Sequence, residues 1–133
     1  MIRRALHLAL GKRGEKDAER LLETKRYRIL ARDWRTRAGE LDIVALDGET
    51  VVFVEVKARR FRKKEGFLSP PSQNLSARQM RRNLHAAKLY RKIFHATELE
   101  ARFDLVEAVY DRFFRLRKLY HTLDYLPALP PGM

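Results

Sequence analysis

The 133-residue sequence predicts a single α/β domain, a central mixed β-sheet flanked by helices. Apolar periodicity and turn signals mark the order helix, three strands, helix, two strands. The run Val51-Val52-Phe53-Val54 is apolar at consecutive positions, as expected of a strand covered on both faces. The length allows one real core and not two independent ones, and no internal repeat is visible. The expected domain core spans 11–126, with a mobile basic loop at 59–75 and a proline-bearing tail at 127–133.

Taken in order, Gly14 is the expected cap of a first helix over 15–25. Glu15, Ala18 and Leu22 then share one face, at i, i+3 and i+7. A lone Glu in a first turn is explained by the helix dipole unless other acids converge on it. Residues 27–33 alternate as a first strand, 34–38 form a basic connector, and 41–46 and 50–58 read as the second and third strands. Asp47-Gly48 between the last two is a hairpin signal. Pairing Leu46 with Glu49 sets Asp42 opposite Phe53; pairing Leu46 with Val51 sets Asp42 opposite Glu55. In either register Glu40, Asp42, Glu55 and Lys57 fall on one face, because strand side chains alternate with period two.

A second helix is announced by a capping box, Ser76 with Gln79, and by the staple positions Leu75 and Met80. Met80, Leu84, Ala87, Tyr90 and Phe94 form its expected core stripe. The fourth strand is expected over 102–110 and the fifth over 113–120.

Net charge is +12, and residues 57–92 contain twelve Lys or Arg against one acid, Glu65. Clustering of that kind is the electrostatic footprint of a nucleic-acid binder. The candidate contacts are Arg59, Arg60, Arg62, Lys63, Lys64, Arg78, Arg81 and Arg82. There are no cysteines, which excludes disulfides and thiolate metal sites. The first ten residues have too short an apolar stretch for a signal peptide, and no run reaches membrane-spanning length. A cytoplasmic protein without membrane contact is the expectation. The four histidines lack metal-ligand spacing, and Trp34 is read as cover for the sheet edge.

The chemistry lies in the carboxylates and lysine set inside apolar strands. Burying ionised side chains costs several kcal/mol each unless partners or a metal compensate. Mg2+ takes oxygen ligands, commonly one or two carboxylates. Asp42 and Glu55 are the candidate ligands, with the Val56 carbonyl as a third oxygen and Glu15 completing the set from the helix. Lys57 is placed to orient a water or to stabilise charge on a phosphate. A buried structural ion pair is the alternative, and it accounts more naturally for one acid and one lysine than for the whole set.

These residues carry a family resemblance. Gly39-Glu40-Leu41-Asp42-Ile43-Val44-Ala45 followed by Val52-Phe53-Val54-Glu55-Val56-Lys57-Ala58-Arg59 closely resembles the YraN-type family of small bacterial endonuclease-like proteins. Residues 11–18 resemble that family's opening helix and Arg102-Phe103-Asp104-Leu105-Val106 its late strand, so the likeness spans about 11–126. The resemblance implies a restriction-endonuclease-like fold, with Asp42, Glu55 and Lys57 matching its D…ExK signature. Archaeal Holliday-junction resolvases share that arrangement, including a first-helix glutamate that here corresponds to Glu15. Departures lie at Lys25-Arg26, at Arg78 and across the 61–75 loop, all outside the signature.

The reading that follows is a nuclease dependent on Mg2+ or Mn2+ that hydrolyses phosphodiesters in DNA, with branched and single-stranded DNA as candidate substrates. A non-catalytic nucleic-acid-binding module and a scaffold held by an ion-pair network are the alternatives. Cutting a four-way junction requires two active sites and hence a homodimer, although no apolar stripe in the sequence marks its interface.

Overall fold

A computed structural model describes residues 2–61 and 76–126 of the chain. The expected basic contacts Arg62, Lys63 and Lys64, most of the expected loop, the staple residue Leu75 and the tail from 127 lie outside the described residues.

Helix α1 (Ile2–Thr24) begins well before the expected start at Glu15. Gly14 is a packing residue within it and not its cap: a Cβ there would stand 2.8 Å from the Cβ of Ala58, so the glycine lets the helix lie close against a strand. Glu15 therefore sits in the middle of a long helix. The dipole explanation for it falls away, since that effect is confined to the terminal turns.

Five strands follow in chain order across one sheet: β1 (Arg28–Arg35), β2 (Glu40–Asp47), β3 (Thr50–Arg60), β4 (Ala101–Tyr110) and β5 (Leu116–Thr122). All neighbours are antiparallel except β3 and β4, whose parallel pairing requires a crossover, supplied by α2 (Ala77–Ile93). The β2–β3 hairpin closes through Gly48-Glu49, with Asp47 paired to Thr50 and Leu46 to Val51. Gly48 has φ +62°, a conformation glycine adopts without strain. The second of the two registers considered is thus the one formed.

Alternation along β2 and β3 sends side chains into two layers. Ala18 and Leu22 of α1 pack with Ile43, Ala45, Val52 and Val54. Ala86, Ala87 and Tyr90 of α2 pack with Val44, Val51, Phe53 and Phe103 on the other face. Val51 to Val54 are all buried, as a strand covered on both sides demands.

Ser76 caps α2 by accepting a hydrogen bond from the Gln79 backbone N–H at 3.0 Å. The buried stripe differs from the expected one. Phe94, at the C-cap, is 53 % exposed, although its ring lies 4.4 Å from that of Tyr90. Asn83 and Arg91 are buried in its place. Arg91 is structural: its guanidinium donates to the carbonyls of Ala96, Thr97 and Leu99, ordering the turn that leads to β4. Trp34 covers Tyr90 with its ring centroid 5.3 Å away, in keeping with a sheet-cover role. The fifth strand starts at Leu116, not Phe113, because Asp111 and a positive φ at Phe114 hold residues 111–115 in a turn.

Candidate active site

The backbone ladder between β2 and β3 runs from the hairpin to Ile43–Val54 and ends there. Beyond it a side chain takes over, as Asp42 Oδ2 accepts a hydrogen bond from the Val56 backbone N–H at 2.8 Å. Alternation is broken at this point. Leu41 packs in the α2 layer and Ile43 in the α1 layer, although two residues apart on a regular strand share a face. On the neighbouring strand Asp33 has φ +47°, a bend that Asp tolerates better than most residues. The strands splay here, and the opening admits side chains from both layers.

The half-buried carboxyls of Asp42 and Glu55 come together there, close enough for each to bias the charge of the other. Burial pushes both toward the protonated form. For Asp42 the Val56 N–H opposes the shift and the charge of Glu40 adds to it; for Glu55 the charge of Asp42 and the hydrogen bond to it add to it. From the α2 side, Asn83 favours the charged form of Glu55.

Two other acids in the sheet, Asp104 and Glu107, are fully buried. Burial raises Asp104 as well, yet its hydrogen bonds to His121 (2.8 Å) and Arg102 (2.9 Å) and from the Asp124 N–H outweigh that and hold it low. Glu107 is ion-paired with Arg59 at 2.9 Å. These acids stand in structural networks. Asp42 and Glu55 have no ion pair among the described residues. With no cation among the described residues against them, a structural ion pair does not account for them.

Glu15 lies on the α1 side, in a cleft of about 280 Å³ lined also by Lys12, Asp33 and Asp42. Burial and then the charges of Asp42 and Asp33 push its carboxyl up to about 7. It feels the pair without joining it. Among the described residues no three His, Asp or Glu side chains stand together as a ready metal-ligand group. Lys57 is half-buried and lines a separate cleft of about 430 Å³ with His7, Gly11, Arg59 and Glu107. It makes no ion pair within 4 Å among the described residues. The site thus brings Asp42 and Glu55 together, keeps Glu15 in electrostatic reach, and holds Lys57 on the strand beside them.

The expected basic contacts are distributed unevenly. Arg60, Arg78 and Arg81 are exposed and Arg82 is half-buried, whereas Arg59 is engaged by Glu107.

Three supporting residues carry little or no signal in the sequence. Asn83, 1 % exposed, accepts from the Gln79 side chain (3.0 Å) and donates to the Tyr125 hydroxyl (3.2 Å) while standing beside Glu55. Its signal is a polar amide inside the buried face of α2. Tyr125 is the second, its hydroxyl held near the acids, and nothing local in the sequence distinguishes it. Gly39 is the third. A Cβ there would fall 1.9 Å from the Arg82 carbonyl oxygen, so only glycine lets the entry to β2 touch the α2 backbone.

The five-stranded mixed sheet with its two helices defines a single α/β domain consistent with the restriction-endonuclease-like fold. A family model described as "Uncharacterised protein family UPF0102", which is the YraN family, matches residues 14–108. The chain belongs to that family. A UPF0102 protein of Geobacter metallireducens is 39 % identical over 77 % of this chain and 80 % of its own length. Relatives from Pelotomaculum thermopropionicum (38 %, covering 84 % and 90 %) and Geotalea uraniireducens (35 %, covering 91 % of each) extend the similarity across most of the domain. Among the described residues no helix is long and apolar enough to cross a membrane.

Proposed function

We propose that this chain is a nuclease that uses Mg2+ or Mn2+ to hydrolyse phosphodiester bonds in DNA. The observation that carries the reading is the half-buried Asp42–Glu55 carboxyl pair at the end of the β2–β3 ladder, with Asp42 fixed by the Val56 N–H and no cation among the described residues beside it. Two carboxyls held together retain a proton for want of a counter-charge, and a hard divalent cation supplies that charge in the proton's place. The donor set fits such an ion: two carboxylates, with the Val56 carbonyl as a further oxygen and Glu15 as an outlying acid whose charge the cation also offsets. When bound, the cation supplies positive charge to polarise a phosphate and acidify a water.

The chain's own groups do the rest. Asn83 keeps Glu55 oriented and favours its anionic form. The Val56 N–H fixes Asp42. Lys57, two residues beyond Glu55, is the group assigned to hold the attacking water or a phosphate oxygen. Arg60, Arg78, Arg81 and Arg82 supply phosphate contacts from the strand end and from α2.

The test is cleavage of linear duplex, single-stranded and four-way-junction DNA with Mg2+, Mn2+ or EDTA. Metal-dependent products on at least one substrate are expected. No product above the EDTA background on any of the three contradicts the reading. Binding measured in EDTA is expected to weaken about 100-fold between about 50 and 200 mM salt, the response to release of counterions at roughly four phosphate contacts. Salt-insensitive binding contradicts the basic surface as the DNA contact.

A further inference from the structure

The turn between β4 and β5 presents an aromatic ring to solvent on a closely hydrogen-bonded backbone. The Asp111 carboxylate accepts from the backbone N–H groups of Phe113 (2.8 Å) and Arg115 (3.0 Å). The Asp111 N–H donates to the Arg115 carbonyl (2.9 Å), and the Phe114 N–H to the Asp111 carbonyl (3.0 Å). Phe114 is pinned from two other elements: its carbonyl accepts from the Arg13 guanidinium of α1, and Arg60 of β3 lies 4.6 Å from its ring centroid. None of these bonds needs the side chain of Phe113, which is 61 % exposed. The guanidinium carbons of Arg112 and Arg115 lie 4.7 Å and 5.6 Å from its ring centroid.

Charge and position both indicate what this tip meets. Arg112, Arg115, Arg117 and Lys118 are exposed around a single acid, Asp111, which is occupied in holding the turn. The partner must therefore be anionic and must offer a flat apolar face. β4 reaches the turn at Tyr110, which pairs with Arg60, three residues past Lys57 on β3. At about 3.3 Å per residue the tip stands roughly 10 Å beyond the lysine. A groove of about 360 Å³, lined by Arg3, His7, Arg60 and Phe114, runs beside it, and His7 also lines the cleft that holds Lys57.

We propose that Phe113 is a base-stacking wedge. Its ring receives the face of an unpaired base in DNA, while Arg60, Arg112 and Arg115 hold the flanking phosphates. Every base has a π-face, so such stacking tolerates any sequence and selects for unpairing, and the pre-formed turn reduces the ordering cost of binding. The consequence for the acid site rests on the nuclease reading above: its substrate is DNA that is frayed, branched or single-stranded, in preference to intact duplex.

The test uses the full chain in EDTA, which separates binding from cleavage. The probe is a forked DNA with 2-aminopurine at the first unpaired position, compared with a matched duplex. Wild-type protein is expected to bind the fork more tightly than the duplex and to quench the probe. Phe113→Ala is expected to lose the quenching and to weaken fork binding about 10-fold, with duplex binding unchanged within about twofold. Phe113→Trp is expected to restore both, and Leu123→Ala, an exposed apolar control elsewhere, to match wild type. Undiminished quenching and fork affinity in Phe113→Ala, or an equal loss on fork and duplex, overturns the wedge. Stacking without metal-dependent cleavage sinks the nuclease reading and leaves the wedge standing; cleavage without stacking does the reverse.

Discussion

Replacing Glu55 by Gln is expected to lower DNA cleavage by about 10³-fold, the scale on which loss of one strong electrostatic contact acts in a transition state. The fold survives the change, and in the metal-free protein it gains. Glu55 and Asp42 titrate above their ordinary range in the folded state, with burial as the leading cause. For a raised acid the folded protein holds more protons than the unfolded chain once pH exceeds the ordinary carboxylate value, so stability falls as pH rises from there through the folded pKa. Gln carries no such penalty. Glu55→Gln is therefore expected to match wild type near pH 4 and to exceed it by about 1–3 kcal/mol, or about 3–10 °C in Tm, at pH 8 without metal. Thermal unfolding at the two pH values with EDTA checks this. Lost activity together with lost stability at pH 8 would instead mark Glu55 as structural.

Gly39→Ala is expected to be the most damaging substitution of a single small residue. Its Cβ would fall 1.9 Å from the Arg82 carbonyl oxygen, which belongs to helix backbone and cannot rotate away. Either the 36–39 turn must lift off α2 or the helix must shift. The Thr36 hydroxyl accepts from the Ala38 and Gly39 N–H groups and donates to the Gly39 carbonyl, so the turn moves as a unit. The expected cost is about 3 kcal/mol or more, roughly a 10 °C drop in Tm. The same displacement spreads Asp42 from Glu55, so residual folded protein should cleave poorly even below the new Tm. Ala at Gly11, where a Cβ meets nothing within 4 Å, is the control and should be tolerated. A Gly39→Ala protein with wild-type Tm removes the close approach from the account.

The sequence carried the skeleton of this arrangement because its signals are local. The capping box at Ser76, the turn at Gly48 and the four-residue apolar run of β3 each report on a few neighbouring residues, and each element formed where it was expected. Period-two reasoning placed Asp42 and Glu55 on one face, and one of the two hairpin registers it left open set them opposite each other. It failed in detail because a strand's alternation holds only while the ladder continues, and here the ladder stops at Ile43–Val54. The start of α1 was misjudged since glycine has two uses. In the sequence Gly14 reads as a cap, and only the distance to Ala58, far away in sequence, shows it to be a packing contact.

Buried acids posed the harder problem. An acid inside an apolar strand describes Asp104 and Glu107 as well as Asp42 and Glu55, and the sequence does not separate them. What separates them is the partner each finds in space. Arg102 and His121 reach Asp104 from its own strand and from β5, and Arg59 reaches Glu107 from β3. Asn83 was invisible for a related reason. A polar residue in a helix stripe acquires meaning only once the acid it faces is known.

The central claim is that the Asp42–Glu55 pair exchanges a shared proton for a divalent cation. Calorimetric titration with Mn2+ at pH 7, repeated in two buffers of different ionisation enthalpy, measures both the affinity and the protons released. The account predicts binding by wild type with release of about one proton, because ligand carboxyls must ionise to bind. It predicts for Glu55→Gln an affinity lower by at least about 10–100-fold, the loss usual for disturbing even an outer partner of a metal site, with little proton release. Equal Mn2+ affinity in the two proteins, or the absence of binding by wild type, would contradict it.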